Sequence, residues 1–130
     1  MKKSVSGRRI SAFTLIELLV VLAIIAVLAT LALPRYFQQI ETAKETVLAE
    51  NLRLTRETID KFYADTGKYP DSLEQLVEKK YLRAVPLDPV TDSRSTWIVV
   101  PPDDDAKGKV ANLVSGAEGK DHNGTPYDQL

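Results

Sequence analysis

Residues 13–33, FTLIELLVVLAIIAVLATLAL, carry polar side chains only at Thr14, Glu17 and Thr30; every other position is apolar. As a helix, at about 1.5 Å per residue, this run is roughly 31 Å long, enough to cross the hydrocarbon core of a bilayer. It is rich in Leu, Ile, Val and Ala and contains no Gly, so a continuous helix is expected. Glu17 is the anomaly. An ionisable group within a membrane-length helix costs about 2.5 kcal/mol or more and marks a functional position with a partner. Lys2, Lys3, Arg8 and Arg9 precede the run without any acid, a bias that keeps the N-terminus in the cytoplasm. A secretory signal would be cut after its apolar core, and Thr30-Leu31-Ala32 offers a weak site of that kind. The small residue Ala12 placed before the run, and the acid Glu17 inside it, argue against that reading.

The segment Ala12-Phe13-Thr14-Leu15-Ile16-Glu17-Leu18 resembles the prepilin cleavage motif of type IV pilins and type II secretion pseudopilins. The resemblance implies that a prepilin peptidase cuts between Ala12 and Phe13, that Phe13 is then N-methylated, and that the apolar helix stays with the product. Glu17 takes the place of the family's acid, and Pro34 its helix-kinking position. Ala12 departs from the family, where Gly is usual. In a filament of such subunits the apolar helices solvate one another. Buried Glu17 would then need a cation, and the nearest is the Phe13 amine of a neighbouring copy, a pair that enforces register.

The chain has 130 residues and a formal net charge of -1; the N-terminal twelve hold four of the 17 basic residues and none of the 18 acidic ones. From Phe13 onward 13 basic residues face 18 acidic ones, a net of -5, which with no basic patch interleaved with aromatics argues against nucleic acid as a partner. There is no cysteine, so neither a disulfide nor a thiolate metal site can form.

After Pro34 an amphipathic helix is expected to run to Gly67, its C-cap, with Pro70 soon after. Its apolar stripe reads Tyr36, Ile40, Ala43, Val47 and Leu54, widened by Phe37, Leu48, Ile59 and Phe62. Arg35, Arg53, Arg56, Glu57 and Asp60 fall mainly on the opposite arc. The stripe serves either as a coiled-coil seam or, the preferred reading, as a face packed on a small head. Asp71-Ser72-Leu73-Glu74 reads as a capping box with Asp71 as N-cap, opening a short helix that ends near Lys80. Residues 96–100 are the clearest strand, and residues 109–114 are its expected hairpin partner across a Pro- and Asp-rich turn. The Gly-containing tail, residues 115–130, reads as loop with room for a third short strand.

The expected fold is therefore α+β: a long kinked helix, half in the membrane and half amphipathic, with a head of one short helix and a two- to three-stranded antiparallel sheet. Its parts are a leader (1–12), a membrane and filament-core helix (13–34), the amphipathic continuation (35–67) and the head (68–130).

Residues 67–73, Gly-Lys-Tyr-Pro-Asp-Ser-Leu, followed by Tyr81-Leu82, Pro86-Leu87-Asp88-Pro89, Trp97 and Ser115-Gly116, are similar to the G-type major pseudopilins of type II secretion. That resemblance implies an inner-membrane, single-pass subunit with a cytoplasmic N-terminus and a periplasmic head. It would polymerise with itself and work with minor pseudopilins and an inner-membrane assembly platform. Major type IV pilins commonly close a C-terminal loop with a disulfide, which cannot form here, so the pseudopilin is preferred. The resemblance also implies a calcium site in the tail, for which Ser115, Asp121 and Asn123 are the best-placed donors and Glu118 and Asp128 further ones. A solvated polar turn is the competing reading of the same residues.

Other features are read as structural. Asp103, Asp104 and Asp105 form a solvated hairpin tip, and Trp97 belongs to the core. Asn123-Gly124-Thr125 is a formal glycosylation sequon of little meaning in a chain of this kind. The single histidine, His122, is an exposed polar residue; with Ser115 and Asp121 it supplies the letters of a hydrolytic triad but no nucleophile elbow. Three function classes remain: a pseudopilus subunit, a type IV pilus subunit for adhesion, motility or DNA uptake, and a membrane-anchored enzyme or binding module.

Overall fold

The computed structural model describes residues 12–130. Thr14 starts the first helix: its hydroxyl accepts the Glu17 N–H at 3.1 Å and its carbonyl the Leu18 N–H at 3.1 Å. These two bonds satisfy amide donors that the first turn would otherwise leave open. The helix, α1, spans Leu15–Thr66 and includes Pro34. Gly67 then takes φ +75, a left-handed turn that suits glycine, and donates its N–H to the Tyr63 carbonyl at 2.8 Å.

The chain divides into two compact units, Met1–Gln38 and Gln39–Leu130. In the first, every described residue is exposed, including Leu15, Ile16, Leu28 and Leu31. Among the described residues α1 is the one helix long and apolar enough to cross a membrane.

The second unit holds a core of its own. Leu48, Leu52, Ile59 and Phe62 from α1 pack with Leu73 and Leu76 from α2, Leu73–Glu78, and with Trp97, Val110, Leu113 and Tyr127. Positions 48, 52, 55, 59 and 62 recur every three or four residues, the spacing of one helical face. Each large aliphatic side chain buried this fully contributes about 1.5–3 kcal/mol before the entropy of ordering is set against it. The buried face is not centred where the sequence placed it. Tyr36, Phe37, Val47 and Leu54 remain exposed, while Glu45 and Thr55 are buried. The helix carries apolar residues on two arcs, and contact with the head, not hydrophobicity alone, decides which one is covered.

α2 is capped one residue later than expected. Ser72 accepts the Gln75 N–H at 3.2 Å, and the Gln75 side chain returns to the Asp71 N–H at 2.7 Å. The capping pair is thus Ser72 with Gln75 instead of Asp71 with Glu74. The expected hairpin forms, shortened to β1, Ile98–Val100, and β2, Asn112–Val114, antiparallel with Val99 opposite Leu113. A 3-10 turn, Asp105–Lys107, closes it, with the Asp104 carboxylate capping Ala106 N–H at 3.0 Å. The tail contributes no third strand among the described residues; it makes an isolated bridge between Lys120 and Pro126 and a 3-10 turn, Tyr127–Gln129. The architecture is α+β, with a two-stranded antiparallel sheet.

Candidate functional site

Two groups of residues carry the chemistry singled out in the sequence, one in each unit. At the N-terminal end, Ala12, Phe13 and Thr14 are exposed and precede the helix. The Ala12–Phe13 peptide bond thus lies in non-helical chain, where a protease can take it in extended form. The basic leader residues Lys2, Lys3, Arg8 and Arg9 lie outside the described residues. Glu17 sits in the first turn of α1, three residues after Thr14, so its negative charge stands at the positive end of the helix dipole. Among the described residues its carboxylate has no ion-pair partner. Pro34 lies inside α1 and has no N–H to offer the Thr30 carbonyl one turn back. The Thr30 hydroxyl in turn donates to the Ala26 carbonyl at 2.8 Å.

The tail is held to the rest of the second unit by side-chain hydrogen bonds from α1. Glu45, on the buried face of α1, accepts the His122 backbone N–H at 2.9 Å, pairs with His122 Nδ1, and receives the Tyr127 hydroxyl at 3.5 Å. His122 is exposed, as expected, but it is partnered. The hydrogen bond to Glu45 raises the imidazole pKa above its ordinary value; partial desolvation opposes it, and the charges of Glu45 and Asp121 add to it. Burial, with the charges of Glu45 and Glu41 behind it, raises that of the Tyr127 hydroxyl. Arg56 makes a second attachment: Nε donates to Asn112 Oδ1 at 2.8 Å, and Nη2 to the carbonyls of Leu113 at 3.0 Å and Leu130 at 2.6 Å. One guanidinium therefore joins α1, β2 and the tail.

Ser115 and Asp88 form a third, fully buried element. Asp88 Oδ2 accepts the Ser115 hydroxyl at 2.5 Å, and Oδ1 accepts the amides of Val90 at 2.9 Å and Thr91 at 3.3 Å. Ser115 Oγ also accepts the Ala117 N–H at 3.1 Å. Gly116 is required beside it, because a Cβ there would stand 2.1 Å from the Thr96 carbonyl oxygen.

The sequence-predicted calcium donors are placed as follows. Ser115 is buried on Asp88; Glu118, Asn123 and Asp128 are exposed; Asp121 is half-buried. Asp121 Oδ1 already accepts the amides of Asn123 at 2.9 Å and Thr125 at 2.8 Å. Among the described residues no group of three or more His, Cys, Asp and Glu side chains is gathered as a metal ion requires. By its carboxylates, this donor set does not supply the many-oxygen shell that a hard cation wants around one point. Nor are the letters of a triad joined: Ser115 engages Asp88, and His122 engages Glu45.

Glu45, Asp88 and Arg56 were missed in the sequence. Glu45 stands three residues before Leu48 on the buried helical face, a spacing that could have flagged it. Asp88, bracketed by Pro86 and Pro89 and followed by Thr91, has the makings of a side-chain-closed turn. Nothing local distinguishes Arg56 from its neighbour Arg53, which holds Glu50 and Glu57 on the open face at 2.6 Å each.

Comparison with known proteins gives a family match and a relative. The prokaryotic N-terminal methylation motif family matches residues 7–33. Over 98 residues the chain is 33% identical to the type II secretion system core protein G of Pseudomonas aeruginosa, covering 63% of this chain and 69% of that protein. No solved structure gives a significant match.

Proposed function

The chain belongs to the family of the type II secretion system core protein G, and from that membership we propose that it is the repeating subunit of a periplasmic pseudopilus. A prepilin peptidase cuts between Ala12 and Phe13, Phe13 is N-methylated, and the product remains a single-pass inner-membrane protein with its head in the periplasm. Minor pseudopilins and an inner-membrane assembly platform then draw it into a filament whose growth drives protein export.

One observation carries this reading. Every residue from 13 to 33 is exposed, although nearly all are apolar and the same chain builds a complete core elsewhere. A helix of this length and hydropathy requires lipid or other copies of itself as solvent. Glu17 is the one acid in that surface. Within a filament the Phe13 ammonium of a neighbour would neutralise it, and a misregistered subunit would leave a buried charge unpaired. The proposed role is structural, as it is for the family's pilin-like subunits.

Intact mass of the protein isolated from its own membrane fraction tests the proposal. A chain starting at Phe13 and carrying one additional methyl group is the expected result. A mass starting at Met1, or following cleavage after Ala32, overturns it and leaves an anchor or an exported domain. The second reading, a type IV pilus subunit, shares all of this processing. The absence of cysteine and the relative's assignment to type II secretion favour the pseudopilus. Deletion separates the two, by retention of secreted proteins in one case and loss of long surface filaments in the other.

A further inference from the structure

We infer that the tail of this head is fastened by protein groups alone, with Glu45 and Asp121 serving as acceptors for N–H and O–H donors where the family resemblance implies a calcium ion. A calcium cage and a hydrogen-bonded clasp solve the same problem. A small head buries little core, and its last segment needs a staple. Here residues 119–130 are tied at three points on different partners. Asp121 closes the loop on itself through the amides of Asn123 and Thr125, while Thr125 returns its carbonyl to the Asp121 N–H at 2.9 Å. Glu45 takes the His122 amide and imidazole and the Tyr127 hydroxyl. Arg56 holds the Leu130 carbonyl.

Both oxygens of Glu45 are thus occupied by donors, which a cation would have to displace, and Asp121 is occupied at Oδ1. Asp121 has Oδ1 taken by two amides and could offer a cation Oδ2, but only the exposed Glu118 and Asp128 are further tail carboxylates, and among the described residues no three acids are gathered there. Ser115 is further committed, since moving its hydroxyl strands the fully buried Asp88. The inference rests on the head and stands whether or not the filament reading does.

The test uses the full chain in detergent micelles. Trp97 is the only tryptophan and is buried in the head core, so its fluorescence reports unfolding of the head and nothing of the membrane helix. The thermal midpoint is expected to agree within about 1 °C between about 5 mM calcium and excess EGTA. A ligand that binds only the folded head would raise it by several degrees. Such a rise, or saturable calcium uptake by calorimetry, overturns the inference. Substitution sharpens it. Asp121→Asn keeps the Oδ1 acceptor but removes the charge, and should leave the midpoint within about 2 °C of the parent. Asp121→Ala and Glu45→Ala remove acceptors, and should lower it by several degrees and speed proteolysis of the tail. Equal damage from Asn and Ala at position 121 would mean that the loop requires the charge, and the clasp account would fall. Should the alanine variants fail to fold, the calcium comparison on the parent chain decides alone.

Discussion

Leu28 and Leu31 are 59% and 68% exposed, whereas Leu48 and Leu52, further along the same helix, are 0% and 1% exposed. Helix propensity and residue type are the same in both places. In the second unit a short helix, a hairpin and a tail supply partner atoms, and the apolar face becomes a core. In the first unit nothing in the described chain does so. The first unit's surface is therefore specified for an environment outside the chain, the second's for its own interior. Polar residues follow the same split. Glu45 and Asp88 find donors within the head, while Glu17 finds no ion-pair partner among the described residues.

The largest effect that can break this comparison comes from Glu17. Glu17→Gln keeps an amide of the same size at the third helical position but deletes the charge. It is expected to insert normally, leave the Trp97-reported midpoint of the head within about 1 °C, and abolish filaments. Filament yield by electron microscopy of sheared fractions is the measurement, and wild-type yield would sink the pairing argument. Glu17→Ala should match it; a difference between the two would expose a helix-starting role for Glu17 beside Thr14.

Next in size is truncation inside the head. Leu113→Ala opens a cavity opposite Val99 at a position that is 0% exposed, and should cost the head about 2–5 kcal/mol in denaturant titration. Leu28→Ala, at 59% exposure, should leave the head's stability unchanged. If both cost the same, the division into a self-packed and an environment-packed unit is wrong. Asp88→Ala is smaller in reach but equally local. It strands the Ser115 hydroxyl and two amides, and should cost about 1–3 kcal/mol. Asp88→Asn, able to keep acceptor contacts through its Oδ1, should cost less.

Legibility in the sequence followed how local each cause is. The membrane-length helix, the Gly67 stop, the hairpin and the burial of Trp97 were readable because periodicity, a left-handed cap or β-branched residues act within a few positions. The α2 cap was misplaced by one residue because Asp71 and Ser72 are both good caps, and the Gln75 side chain decides between them. The covered face of α1 was misjudged because two apolar arcs coexist, so the choice belongs to the head. Glu45, Arg56 and Asp88 were invisible for the same reason, their partners lying 25 or more residues away except in the Asp88 turn itself. The N-terminal methylation motif was legible almost residue by residue, being a linear pattern within residues 7–33 that depends on no distant partner.

The smallest expected effect concerns pH and the Glu45–His122 contact. Hydrogen bonding to Glu45 raises the His122 pKa in the folded head above the value it has in the unfolded chain. The folded state therefore holds the proton more tightly. The resulting stabilisation is fully present below the ordinary histidine range, about pH 6.5, and is lost as pH rises through the raised folded value. Because His122 is exposed and screened by solvent, the head's midpoint should fall by only on the order of 1 °C across that interval. His122→Asn retains the backbone N–H that Glu45 accepts while removing the titrating ring, and should flatten the profile without shifting its high-pH end. A midpoint that rises between about pH 6 and 8 in the parent chain, or a slope unchanged in His122→Asn, would show that another group governs it. Leu28→Ala should share the parent's slope, since the titrating contact lies wholly within the second unit.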